Sequence, residues 1–198
     1  MAFRRRHLNA TLLPTGDVLV TGGTAAPGFN DAAGTVHTAE LWSPKDGKWK
    51  TLAPNIINRI YHSAAILLPD ARVLVTGAGA NQGAVNELNA ELYSPPYLFR
   101  GTRPSLTDAP SALSYGASFA IVTPGPRSIA KVTLLRLGSV THSFDQNQRF
   151  LSLDFRITST GLTATAPASG NVAPPGHYLL FLVNDNGVPS VGRTVRLR

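Results

Sequence analysis

Tyr61 and His62 stand side by side in the segment NRIYHSAAILLPDARVLVTG, immediately before a predicted strand. A third side chain of related chemistry, His142, lies much further along the chain in VTHSFDQNQRF. One phenolate and two imidazoles suit copper(II) in a square-like arrangement with open positions. The residue types therefore predict a copper site if the fold brings these side chains together, which their spacing alone does not establish.

The remaining histidines are weaker candidates for chemistry. His37 precedes a predicted strand and His177 opens another, and a partly exposed strand residue is the simpler interpretation of both. His7 occupies the same place as His62 in an internal repeat, so a histidine there can be a structural feature of the repeat. Only the preceding residue differs, because Arg6 stands where the second copy has Tyr61.

The internal repeat defines the first half of the chain. HLNATLLPTGDVLVTGG and HSAAILLPDARVLVTGA align without gaps, and AELWSP and AELYSP follow each copy. A unit of about fifty residues made of short strands is typical of kelch propellers. Each copy predicts a hairpin with a turn at PTGD or PDAR. Residues 1–100 are therefore predicted to form two kelch-type β-propeller blades.

The second half has a different pattern. Short Val- and Leu-rich segments, among them SFAIVT, KVTLLRL, VTHSF and HYLLFLVN, alternate with turn signals such as TPGPRS and NDNG. This spacing favours an antiparallel sandwich of the immunoglobulin-like type over residues 101–198. No segment shows a sustained helical period, so the whole chain is predicted to be all-β: two kelch-type blades followed by an immunoglobulin-like β-sandwich.

Composition narrows the function classes. The 198 residues contain no cysteine, which excludes disulfides and thiolate metal ligands within this chain. The net charge is +7, but most arginines are scattered, so solvated surface charge is expected and a nucleic-acid partner is not. No apolar run approaches the roughly 20 residues of a membrane span, and the basic N-terminus lacks the apolar stretch of a signal peptide.

Four motifs, in the same order, resemble the C-terminal portion of the galactose oxidase and glyoxal oxidase family of copper radical oxidases. They are RIYHSAAILLPDARVLVTG, AELYSPPYLFRGTRP, VTHSFDQNQRFLSL and PPGHYLLFLVNDNGVPSVGRTVRL. The resemblance implies a kelch propeller followed by an immunoglobulin-like domain, one loop of which reaches into the propeller channel. It implies that Tyr61 is the axial copper ligand and the base for the substrate hydroxyl. It also implies that His62 and His142 are the two equatorial imidazoles.

This chain differs from the family pattern in one important respect. In the family a second tyrosine, cross-linked to a cysteine, carries the radical and completes the copper(II) site, but this chain has no cysteine. The family oxidises primary alcohols or aldehydes and reduces oxygen to hydrogen peroxide, which requires both the metal and the radical. We therefore expect three copper-ligand positions and no turnover by this chain alone, on a carbohydrate or on a small alcohol or aldehyde.

Two blades would leave open sheet faces, so the expected partners are missing propeller blades or a second copy of the chain. His7 begins the repeat almost at the start of the sequence, which is expected of a gene fragment or a late internal start codon. Export is expected from the family resemblance. The alternative function is a non-catalytic, β-rich module that binds carbohydrate or protein through its loops.

Overall fold

The computed structural model describes residues 1–79 and 86–198, and within them the chain is all-β, as predicted. Three short 3₁₀ segments are the only helical elements in this part of the chain. No helix among these residues is long and apolar enough to cross a membrane. The strands are β1 (Asn9–Leu12), β2 (Val18–Thr21), β3 (Thr38–Ser43), β4 (Lys48–Pro54), β5 (Ala64–Leu67), β6 (Val73–Thr76), β7 (Ala90–Tyr93), β8 (Ala112–Leu113), β9 (Ser118–Val122), β10 (Ile129–Arg136), β11 (Val140–Thr141), β12 (Phe144–Asp145), β13 (Phe150–Leu153), β14 (Phe155–Ile157), β15 (Gly161–Thr165), β16 (Gly176–Asn184) and β17 (Arg193–Leu197).

The chain divides into two compact units that do not follow chain order. Unit 1 comprises Met1–Leu68, Arg72–Tyr93 and Gly138–Gln148. Unit 2 comprises the remaining residues, 69–71, 94–137 and 149–198. The segment VTHSF, predicted as part of the sandwich, therefore packs with the repeats, where β11 and β12 form a small hairpin. A domain boundary between residues 100 and 101 stays a prediction.

Unit 1 contains the two predicted hairpins, which confirms the internal repeat. The first copy forms a four-stranded antiparallel sheet in the order β1-β2-β3-β4, and the second forms a three-stranded sheet in the order β5-β6-β7. The registers agree between copies: Asn9 faces Thr21 in the first, and Ala64 faces Thr76 in the second. That these sheets are kelch blades of a closed propeller stays a prediction.

A buried ion pair stabilises the first sheet. Arg5 Nη2 donates to Glu40 Oε2 at 2.7 Å, and the two side chains are 0% and 1% exposed. Arg5 Nη1 also donates to the carbonyls of Gly22 and Thr38, at 3.0 and 2.8 Å. Burial lowers the pKa of Arg5, and the charge and hydrogen bond of Glu40 oppose that shift. The guanidinium therefore stays charged and is paired on several sides.

The second sheet repeats this arrangement with Arg59. Its Nε donates to Glu91 Oε2 at 3.0 Å, and its Nη1 donates to the carbonyls of Gly77 and Asn89 at 3.0 and 3.3 Å. The side chain of Arg59 is 0% exposed. The expectation that the arginines are solvated surface charge is thus wrong for Arg5 and Arg59. A buried guanidinium is tolerated because a carboxylate and several carbonyls replace its hydration.

Unit 2 is a two-sheet sandwich, as predicted. A five-stranded sheet runs in the order β13-β10-β16-β17-β8, and a three-stranded sheet in the order β14-β15-β9. The core combines Ile121 and Leu162 of the small sheet with Leu134, Leu180 and Val195 of the large one. The prediction that the sandwich is wholly antiparallel is wrong at one edge, where the two-residue strand β8 pairs with β17 in parallel.

The repeated ion pair gives a testable difference between neighbouring arginines. Arg5→Met leaves the Glu40 carboxylate buried without its cation, so unit 1 should lose about 3–5 kcal/mol of unfolding free energy. Arg4→Met is the matched control, because Arg4 is exposed and should change stability by less than about 0.5 kcal/mol. Urea unfolding followed by tryptophan fluorescence measures unit 1 alone, since Trp42 and Trp49 both lie there.

Equal midpoints for the Arg4 and Arg5 variants would show that the buried pair does not stabilise the sheet.

Candidate metal centre

The structure brings Tyr61, His62 and His142 together within unit 1. The rings of Tyr61 and His62 are stacked, with centroids 4.0 Å apart and planes 26° apart. The His142 ring meets His62 edge-on at 4.6 Å and lies 5.8 Å from Tyr61. Residues far apart in sequence thus form one group of two imidazoles and one phenol, which is the arrangement that the predicted copper site requires.

The backbone at His62 is left-handed, with φ of 64°. A tight turn produces this conformation, since the N–H of Ser63 donates to the carbonyl of Ile60 at 2.9 Å. Ile60 and Ser63 are buried, so the turn is fixed at both ends while the His62 side chain between them is exposed. Glycine or asparagine usually occupies such a position, and histidine there is strained. Strain of this kind occurs often at functional sites.

A second strained turn carries His142. Thr141 pairs with Phe144, and the two residues between them, His142 and Ser143, have φ of 52° and 60°. Two consecutive left-handed residues in a two-residue loop define a type I′ hairpin, for which Asn-Gly is the favoured sequence. The Thr141 hydroxyl lies 2.6 Å from Nδ1 of His142. That contact engages one ring nitrogen and leaves Nε2 as the nitrogen suited to a metal.

Hydrogen bonds tie the tip of this hairpin to the His62 turn. The N–H of Ser143 donates to the carbonyl of Ser63 at 3.0 Å. Asn9 of β1 donates its side-chain amide to the Ser63 hydroxyl at 2.8 Å. Because Ser63 directly follows His62, the two imidazole-bearing turns share a common anchor.

The Tyr61 ring also contacts two residues that we did not predict as part of a site. Phe29 lies 4.7 Å away between ring centroids and His7 lies 5.2 Å away. His7 has φ of 57°, so the repeat conserves the strained turn as well as the histidine. Burial lowers the pKa of His7, and the neighbouring charge of Arg6 adds to this shift. Only the repeat could have pointed to His7, and no sequence signal pointed to Phe29.

The phenol of Tyr61 and the imidazoles of His62 and His142 are suitable copper ligands, although they would make only part of a complete coordination shell. Imidazole is a common copper ligand, and a phenolate oxygen adds negative charge to an otherwise neutral pair. Among the residues that the structure describes, no three His, Cys, Asp or Glu side chains form a metal-binding group, and the phenol of Tyr61 lies beside the two imidazoles as a potential third donor. His37 and His177, interpreted as strand histidines, are absent from the ring contacts of this cluster.

Comparison with known proteins identifies the family. The family model "Glyoxal oxidase N-terminus" matches residues 1–97, and the model "Galactose oxidase-like, Early set domain" matches residues 103–197. The chain belongs to the galactose oxidase and glyoxal oxidase family. Its second half is accordingly an early-set domain of the immunoglobulin-like type, as the strand pattern predicted.

Relatives of the family match nearly the whole chain. The chain is 35% identical over its full length to "Aldehyde oxidase GLOX" of Vitis pseudoreticulata and covers 42% of that protein. It is 34% identical over 98% of its length to a galactose oxidase of Gibberella zeae and covers 30% of that protein. The chain therefore spans less than half the length of these family members.

A solved structure of the family superposes closely. It is a fungal alcohol oxidase of the AA5 family in complex with copper, with a TM-score of 0.91 and 29% identity. The superposition covers 100% of this chain and 43% of that one.

The left-handed turn at His142 predicts which replacements the fold tolerates. Both His142→Asn and His142→Val remove the imidazole, but only asparagine adopts this backbone readily, so valine should cost about 1–2 kcal/mol more. At His177 in the extended strand β16 the order should reverse, because valine favours strands over asparagine. Calorimetric unfolding of the four variants measures both differences. If the asparagine variant were the more stable of the two at both positions, or the valine variant at both, the left-handed turn at His142 would be contradicted.

Proposed function

We propose that this chain contributes Tyr61, His62 and His142 as ligands to the copper centre of an alcohol or aldehyde oxidase. The observation that carries the proposal is the ring cluster, in which an adjacent pair and a distant hairpin residue meet inside one compact unit. Membership of the galactose oxidase and glyoxal oxidase family supports the same proposal. When bound, copper would supply a one-electron redox centre to such a site.

The three side chains have different roles in this proposal. The imidazoles of His62 and His142 bind the metal and fix its position relative to the chain. Tyr61 binds as a phenolate and accepts the substrate hydroxyl proton at Oη, which makes it the catalytic base. The rings of His62 and Phe29 both pack against the Tyr61 ring and restrict its movement. Both proposed metal-binding histidines are exposed, so their ring nitrogens are accessible to a metal ion.

The redox half of the site must come from elsewhere. Oxidation of RCH₂OH by O₂ yields RCHO and H₂O₂ and transfers two electrons, so a single copper ion needs a second redox group. The family uses a tyrosine cross-linked to a cysteine, and this sequence has no cysteine. We therefore propose that the chain acts with further propeller blades, and that without them it has no turnover. The substrate class, whether carbohydrate or small alcohol or aldehyde, and export from the cell belong to the same proposal.

Self-association through the open sheet edges also stays a prediction. The outermost strand of the first sheet, β4, is exposed along most of its length. The alternative, a non-catalytic binding module, is not favoured, because the relatives named above are oxidases.

Copper binding can be tested on the chain as it is. Titration with Cu(II), followed by electron paramagnetic resonance, should show a nitrogen-rich site in the wild type. His62→Asn and His142→Asn should each lose a nitrogen ligand and bind copper at least about tenfold more weakly, while both asparagines preserve the left-handed turns. His177→Asn is the matched control and should retain the wild-type spectrum.

Unchanged spectra in both the His62 and His142 variants would overturn the ligand assignment.

The absence of the redox partner predicts no oxidase activity for the copper-loaded chain. Peroxide release with primary alcohols or aldehydes should not exceed that of free copper, because one metal ion cannot complete a two-electron step. The control is Tyr61→Phe, which should behave like the wild type in this assay. Sustained peroxide production that depends on substrate and disappears in Tyr61→Phe would contradict the proposal.

A further inference from the structure

Gln148 makes an unusual contact with the edge strand of the first sheet. Its side-chain carbonyl accepts the N–H of Leu12 at 2.7 Å, and its side-chain amide donates to the carbonyl of Ala10 at 2.6 Å. Both partners lie on β1, the outermost strand of its sheet. Residues two apart on a strand direct their backbone groups to the same side, so one amide side chain bonds β1 as a neighbouring strand would.

This contact fixes the base of the hairpin that carries His142. The hairpin is attached at its tip by the bond from Ser143 N–H to the Ser63 carbonyl, and Gln148 attaches its other end to β1. The hairpin also packs against β1 and β5 through its two strands, and the Gln148 amide adds a hydrogen-bonded attachment at its base that restrains rotation about the tip. The Gln148 amide therefore acts on the placement of His142, six positions earlier in the chain.

The internal shape of the hairpin does not depend on Gln148. Asp145 Oδ1 accepts the N–H groups of Ser139 and Asn147, both at 2.9 Å. The N–H of Gln146 donates to the carbonyl of Ser139 at 3.1 Å and closes the base. Loss of the Gln148 amide should therefore displace an intact hairpin rather than unfold it.

We propose that Gln148 is a positioning residue that holds the His142 imidazole against His62 and Tyr61. The effect on copper rests on the proposed function, whereas the effect on ring placement does not. The side-chain hydrogen bonds of Gln148 go to Leu12 and Ala10 and not to any of the three proposed ligands, so the residue acts through the hairpin. Outer contacts that orient a ligand often change metal affinity by about 10–100-fold.

The experiment compares Gln148→Ala with Gln146→Ala, which removes the same side chain from an exposed position in the same hairpin. The metal-free readout is the nuclear Overhauser effect between the ring protons of His62 and His142, whose ring centroids lie 4.6 Å apart. It should be present in the wild type and in Gln146→Ala and lost in Gln148→Ala. Gln148→Glu keeps the acceptor and loses the donor, so its effect should be intermediate.

Copper provides the second readout. Gln148→Ala should bind Cu(II) at least about tenfold more weakly and should lose one nitrogen from its resonance spectrum, as His142→Asn does. Tryptophan fluorescence should show that unit 1 stays folded. Retention of the ring contact in Gln148→Ala, or loss of it equally in Gln146→Ala, would overturn the proposal. If the wild type shows the ring contact but binds no copper at these histidines, the proposed function fails and the ring contact alone decides the role of Gln148.

Discussion

The candidate site depends on the ion pair and hydrogen bonds of the buried Arg59 side chain. Its side chain bonds Glu91 and the carbonyls of Gly77 and Asn89 in the second sheet. Its own carbonyl accepts the N–H of Gly23, which follows the second strand of the first sheet. One residue thus joins both repeats of unit 1. Because Tyr61 and His62 follow Arg59 within three positions, the anchoring of Arg59 also fixes the position of the backbone that carries their rings.

Left-handed backbone occurs at two of the three residues proposed to bind copper, and also at His7, Ala71 and Ser143. His62 and His142 are both left-handed, a conformation that costs an ordinary residue about 1–2 kcal/mol. His7 has the same left-handed backbone without being a proposed ligand. The conformation of His62 is therefore a feature of the repeat and does not by itself indicate a metal site. The turn at His142 has no counterpart in the repeat. The hydrogen bonds from Ser143 to Ser63 and from Gln148 to β1 hold the hairpin that contains this turn, as expected if the proposed role of the His142 ring is correct.

Much of the fold could be predicted from the sequence, because its signals are local. Segments rich in Leu and Val on both sides of PTGD and PDAR predicted the two hairpins, and short β-like segments separated by turn signals predicted the sandwich. The burial of Arg5 and Arg59 was missed because arginine is usually exposed, although each arginine precedes a repeat histidine and each repeat ends in AEL. The parallel pairing of β8 escaped prediction because two residues carry almost no pattern.

The candidate site was predictable in its residues but not in its geometry. The donor types and the family resemblance named Tyr61, His62 and His142, whereas the left-handed turns and the bridge from Gln148 to β1 depend on contacts distant in sequence. Such contacts leave no period or spacing in the chain. Phe29 is an example, since nothing in its Gly- and Ala-rich loop shows that this exposed aromatic residue has the Tyr61 ring as a neighbour.

The central claim is that this chain alone places both imidazoles on one copper ion. Crystals of the chain soaked with Cu(II), measured on both sides of the copper absorption edge, test it most directly. The account predicts one anomalous peak within bonding distance of the imidazole nitrogens of His62 and His142, with the Tyr61 phenol beside it. A peak at another site, or copper bound to only one of these histidines with the rings apart, would contradict it.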